Sequence, residues 1–116
     1  MGFVPMSTCM SDSLLEDPVL IRFRAALEAL YGERLERVVL FGSRARGDGQ
    51  TESDYDIAVF LRDGIELLEE SRALAELETD ILFDTGAVIT TLPFPAGAYG
   101  RRTPLMHEIR RDGRDL

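Results

Sequence analysis

Two aspartates separated by a single residue, Asp54 and Asp56, are the side chains whose types and spacing most directly suggest chemistry. They open the run Asp54-Tyr55-Asp56-Ile57-Ala58-Val59-Phe60-Leu61, in which Ile57, Val59 and Leu61 alternate with Asp54, Asp56 and Ala58, a strand pattern that Asp63-Gly64 ends. Residues two apart on a strand project to one face, about 7 Å apart along the chain, so both carboxylates share a side while Tyr55 and Ile57 turn away. Like charges so placed repel unless a cation lies between them. An all-oxygen donor pair suits Mg2+, or Mn2+, rather than zinc. The plainer reading is a solvated aspartate pair at the start of an edge strand.

Upstream, Val38-Val39-Leu40-Phe41 runs into Gly42-Ser43-Arg44-Ala45-Arg46-Gly47. A strand that leaves through Gly-Ser can offer backbone N–H groups and a hydroxyl to an anion, because glycine permits close approach and serine adds a donor without bulk. Arg44 and Arg46 are in reach of the same place to neutralise a triphosphate, Arg46 being the preferred candidate. Alone, this segment reads as an ordinary turn with solvated arginines. Next to a metal-holding carboxylate pair, it describes a site for a magnesium–nucleoside triphosphate.

Composition narrows the alternatives. The chain has 116 residues, 45% hydrophobic and 29% charged, the size and balance of one globular domain. Thirteen basic residues, all arginine, stand against 21 acidic ones for a net charge of −8, a field that repels a long nucleic-acid duplex. The absence of lysine excludes a Schiff-base or P-loop lysine. One histidine, His107, excludes a multi-histidine metal centre, and one cysteine, Cys9, excludes an internal disulfide. No apolar run approaches a bilayer span and no signal-peptide pattern appears, so a cytoplasmic protein with no membrane partner is expected.

The elements that must position the site follow from pattern. Residues 1–15 read as a loose tail and 16–116 as the folded domain. Asp17-Pro18 reads as a helix cap with proline at the first helical position, and Leu20, Phe23, Leu27 and Leu30 form its buried stripe up to Gly32. Strands are expected over Arg37–Phe41, Asp54–Leu61 and Ala87–Leu92, with Gly47, Asp48 and Gly49 marking a turn and Pro93 and Pro95 closing the third strand. A helix from about Ile65 to Phe83 carries Leu67, Leu74, Leu77 and Ile81 on one face. Pro95 to Arg102 reads as a loop, and Thr103-Pro104 opens a short last helix stopped by Gly113. The sum is an α/β (α+β) domain with a small mixed sheet of about three or four strands flanked by helices.

Gly42-Ser43, ten intervening residues and Asp54-x-Asp56 reproduce the Gly-Ser-x10-Asp-x-Asp signature of the DNA polymerase β-like nucleotidyltransferase superfamily. The chain resembles its minimal nucleotidyltransferases, weakly from about Leu20 to its end, with Leu105 to Gly113 similar to the closing helix. The resemblance implies that Asp54 and Asp56 bind catalytic Mg2+ and that Gly42 and Ser43 hold the β- and γ-phosphates. It implies attack of an acceptor hydroxyl on the α-phosphorus of ATP with release of pyrophosphate. Such proteins frequently act as antitoxins paired with a HEPN-domain toxin, and some transfer AMP to a tyrosine of that toxin.

One part of the pattern is missing. Active members usually carry a third carboxylate on the next strand, yet Gly86-Ala87-Val88-Ile89-Thr90-Thr91-Leu92 contains no acid, and Val88 or Ala87 is expected at that place. Asp84, just before the strand, is the candidate third catalytic carboxylate, whereas Asp80 reads as helix surface. Without a third acid, transfer would be slow or absent while nucleotide still bound. A binding module that neutralises its partner by contact, and a nucleotide-sensing domain, are the alternatives. His107 and Cys9 read as structural, and the arginines between Arg101 and Arg114 as a solvated basic end.

Overall fold

The computed structural model describes residues 17–46 and 54–116. The expected tail, with Cys9, and the Gly47-Asp48-Gly49 turn lie outside the described residues.

Helix α1 (Pro18–Tyr31) begins where the cap signal places it, Asp17 accepting a hydrogen bond from the Val19 N–H at 2.8 Å. Leu20, Phe23 and Leu27 are buried as their spacing requires. Leu30, expected in the stripe, is instead exposed, and Tyr31, one turn after Leu27, takes the buried place. A 3-10 turn (Gly32–Arg34) leads to β1 (Leu35–Phe41), a short helix α2 (Gly42–Arg46), and β2 (Tyr55–Leu61). Then follow α3 (Leu67–Thr85), β3 (Ile89–Pro95), a second 3-10 turn (Ala96–Gly100), α4 (Pro104–Asp112) and β4 (Arg114–Asp115).

The sheet order is β3-β2-β1-β4. β2 runs antiparallel to β1, and β3 runs parallel to β2 after α3 crosses over, as a parallel connection requires. Alternation along the strands divides the core into two layers. One face carries Val38, Leu40, Tyr55, Ile57, Val59 and Leu61 against α1 and α3. The other carries Val39, Phe41, Ala58 and Phe60 against Ala98, Met106 and Ile109. Asp56 belongs to this second face by its parity with Ala58 and Phe60.

Two elements depart from expectation. β3 begins at Ile89 and continues through both prolines that were expected to close it. The Tyr55 N–H donates to the Val88 carbonyl, so even-numbered positions here address β2 and odd-numbered ones face outward. Pro93 and Pro95 fall on outward positions and remove no ladder bond, while the outward N–H of Thr91 donates to the Glu78 carboxylate at 3.1 Å. The second departure is β4, which pairs antiparallel with β1 through Val39–Asp115 and Leu40–Arg114. Gly113 makes that return possible, because a side chain there would overlap the Ile109 carbonyl and Val39 Cγ1.

In α3, Leu74 and Ile81 are buried, but Leu67 is exposed and Glu70 sits inside instead. Arg34 accompanies it with an ion pair of 3.0 Å. Burial raises the Glu70 carboxyl, and the Arg34 guanidinium more than reverses this, aided by the nearby Tyr31 hydroxyl. The net value lies below the usual carboxylate range. The stabilisation is therefore full above that range and lost as pH falls through the lowered folded value. Arg34→Ala is expected to reduce stability at neutral pH by about 1–3 kcal/mol, since it orphans a buried acceptor. It should also flatten the acid limb of a urea-denaturation profile taken against pH.

Candidate active site

The antiparallel register sets Phe41, the last residue of β1, opposite Asp56 near the start of β2. Gly42 therefore leaves the sheet directly beside a carboxylate. Its φ of 78° lies in the left-handed region, and a methyl group added to it would overlap Asp56 Oδ2 and stand 3.3 Å from Asp56 Cγ. Here glycine is required twice, for backbone conformation and for closeness. The tight turn expected after Gly42 is the short helix α2, whose Ala45 is buried in the α1/α3 layer. The side chains of Ser43 and Arg46 lie outside the described part of the structure.

Asp54 immediately precedes β2 and is exposed, whereas Asp56 is half-buried. The Asp56 carboxyl is raised above its ordinary value, first by burial, then by the negative charge of Asp54, and then by that of Glu108 on α4. Among the described residues no cation pairs with either aspartate, and no group of three or more metal-ligating side chains forms. This donor set fits magnesium, which is commonly held by one or two protein carboxylates while phosphate and water oxygens complete its shell. The Coulombic contribution of Glu108 was not legible in the sequence, because it depends on α4 packing over β1 and α2.

Asp84 is not brought to the aspartate pair. It sits in the last turn of α3 and forms a 2.7 Å ion pair with Arg22 of α1, within the helical layer on the opposite face from Asp56. Asp80 is exposed on the outer surface of α3, beside Arg72 and Glu76. Nor do Ala87 or Val88 stand level with Asp56. The parallel register puts Thr90 there, and the stacking of Phe60 on Phe94 at 5.4 Å confirms that opposite residues share a face. Position 90 is where a third strand carboxylate would be in register with Asp56, and it holds a hydroxyl.

Tyr55 turns to the helical face, as alternation predicts, but its environment was not anticipated. Its hydroxyl donates to Asp17 Oδ2 at 2.8 Å, and the Arg44 guanidinium lies 3.9 Å from its ring centroid. Burial, and then the bond to Asp17, push the phenol up to about 12, so it remains a donor at neutral pH. Arg44 thus lies against the face opposite Asp56. At the basic end, His107 is exposed 3.3 Å from Arg110, and Arg110 also donates to the carbonyls of Tyr99 and Arg101. Arg111 pairs with Asp112 at 3.1 Å.

A strand–glycine turn abutting an aspartate pair on a small mixed sheet defines a nucleotidyltransferase fold. The family described as polymerase beta, nucleotidyltransferase, matches residues 28–92, more than half of the chain and the whole span from Gly42 to Thr90. The chain belongs to that family, and within it to the minimal nucleotidyltransferase type. It is 32% identical over 56 residues to "Putative protein adenylyltransferase MJ0141" of Methanocaldococcus jannaschii, a match covering 48% of this chain and 57% of that protein. It is 43% identical over 44 residues to "Putative protein adenylyltransferase MJ0604" of the same organism, covering 38% and 44%. The chain thus spans about half the length of these curated relatives. Among solved structures, a "putative minimal nucleotidyltransferase" superposes with a TM-score of 0.55 at 27% identity, over 84% of this chain and 92% of that one. A toxin–antitoxin complex with AMP-PNP superposes with a TM-score of 0.57 at 21% identity, over 81% and 69%, a likeness of fold.

Proposed function

We propose that this chain transfers a nucleoside monophosphate, AMP from ATP, to a hydroxyl of a protein acceptor, and that a HEPN-type toxin is both acceptor and partner. The observation that carries the reading is the backbone of Gly42 lying against Asp56, beside Asp54, inside the segment matched by the family. The adenylyltransferase names of the archaeal relatives and the AMP-PNP in a structural neighbour support ATP as the nucleotide. The toxin–antitoxin complexes among the neighbours support the partner.

In this reading Gly42 and Ser43 hold the β- and γ-phosphates and Arg46 neutralises part of their charge. Asp54 and Asp56 hold Mg2+, or Mn2+ in its place. When bound, the metal offsets charge that develops as the acceptor oxygen attacks the α-phosphorus and pyrophosphate leaves. Asp56, half-buried and crowded by negative charge, is poised to gain from a cation. Residues 16–116 form the unit proposed to do this, in the cytoplasm. Among the described residues no helix is long and apolar enough to cross a membrane.

Thr90 in register with Asp56 favours a second reading, a catalytically weak antitoxin that neutralises its partner by contact. One experiment separates the two. The chain is mixed with a HEPN-type partner, Mg2+ and ATP labelled at the α-phosphate. Label on the partner that disappears with Asp54→Ala/Asp56→Ala supports transfer. Neutralisation by both proteins without label supports contact alone, and label undiminished by the double substitution overturns the assignment of these ligands.

A further inference from the structure

The side chain between the two aspartates has no task in the reaction just described, yet three chain segments converge on it. Tyr55 is 6% exposed and lies in the layer formed with α1 and α3. Its hydroxyl is fixed by Asp17, whose other carboxylate oxygen caps α1 through the Val19 N–H. Its ring face carries the Arg44 guanidinium, and Ala45, the next residue of α2, is buried in the same cluster. On the far side of the strand, Asp56 is in van der Waals proximity to the backbone of Gly42, where α2 begins.

We propose that Tyr55 is a positioning residue for the nucleotide site: its ring holds Arg44, and through it sets the Gly42–Arg46 turn against the strand bearing Asp54 and Asp56. This rests on the nucleotidyltransferase reading given above. The physical basis is the two-residue period of the strand. Neighbouring residues point to opposite faces, so anchoring Tyr55 from behind immobilises the backbone on which both carboxylates are mounted. The same ring anchors the first turn after Gly42, a residue with no side chain of its own to brace the backbone. Arginine suits the role because its planar guanidinium stacks on an aromatic face, where a lysine ammonium meets it only as a point charge. Asp17 fixes the phenol, so the ring is pre-oriented before Arg44 meets it.

The test compares wild type with Tyr55→Leu, Tyr55→Phe and Arg44→Gln by two readouts, calorimetric affinity for Mg·ATP and hydrogen exchange of individual amides. Tyr55→Leu and Arg44→Gln are expected to weaken Mg·ATP binding roughly three- to thirtyfold, the range open to a cation–π contact. Both should speed exchange at amides 43–46 while Val38 to Leu40 stay protected. Tyr55→Phe keeps the ring face that Arg44 meets, so its Mg·ATP affinity should remain within about twofold of wild type, the lost bond to Asp17 registering instead as a lower unfolding midpoint. If Tyr55→Leu fails to fold, Arg44→Gln, a change outside the core, still reads the same contact. Unchanged affinity, or exchange that rises evenly over the whole sheet, overturns the proposal and leaves Tyr55 as core alone. A wild-type protein that takes up no Mg·ATP overturns the nucleotide reading itself, and the exchange pattern then decides whether the ring holds the turn.

Discussion

Replacing Gly42 by alanine is expected to cost both stability and nucleotide binding. The residue has φ 78°, a conformation that costs a side chain-bearing residue about 1–3 kcal/mol. The methyl would also overlap Asp56 Oδ2, so either the turn or the carboxylate must move. Gly86→Ala is the matched control. Gly86 has nearly the same positive φ, of 80°, but a methyl there meets nothing within 4 Å. Both variants should lose stability in thermal unfolding, Gly42→Ala by the larger amount. Only Gly42→Ala should lose Mg·ATP binding as well. Equal behaviour of the two would show that the approach of the turn to Asp56 has no consequence.

The second large effect concerns the carboxylates and has opposite signs in stability and function. Asp56→Asn is expected to reduce nucleotidyl transfer by at least about a thousandfold, because a metal site contributes several kcal/mol to the transition state and each factor of ten is about 1.4 kcal/mol. The same change should raise the unfolding midpoint of the metal-free protein. Asp56 has a folded pKa above its unfolded value, caused first by burial and then by Asp54 and Glu108. In the window between those values the folded state binds more protons, so stability falls as pH rises through it, and at neutral pH the ionised carboxylate is a liability. A neutral isostere escapes that loss. Mg2+ should stabilise the wild type and leave Asp56→Asn unchanged. A variant less stable than wild type without metal would show that Asp56 is satisfied by the protein alone.

Much of this was readable in the order of residues. Asp17-Pro18 placed the start of α1, the Ile57-Val59-Leu61 alternation placed β2, and the same alternation sent Tyr55 and Asp56 to opposite faces. These are local consequences of period and capping, and they hold wherever the element ends up. Elements that depend on a neighbour were less legible. β3 runs through Pro93 and Pro95 because it is an edge, and nothing within Ile89–Pro95 says which side is open. β4 is two polar residues with no pattern, given meaning only by Gly113 packing against Val39. Glu70 is buried in company with Arg34, which arrives from another element, a partner that no pattern within the helix announces.

The candidate site divides in the same way. Residue types and the ten-residue spacing between Ser43 and Asp54 determined the chemistry on offer, two acidic oxygen donors and an anion-accepting turn, since such properties belong to side chains and short segments. Only the folded chain decided which groups meet. Register placed Gly42 against Asp56 and Thr90 level with it, while the helical layer drew Asp84 away to Arg22. Tyr55 acquired Asp17 and Arg44 as partners in the same manner, because distances between residues far apart in sequence are set by packing, which no local pattern encodes.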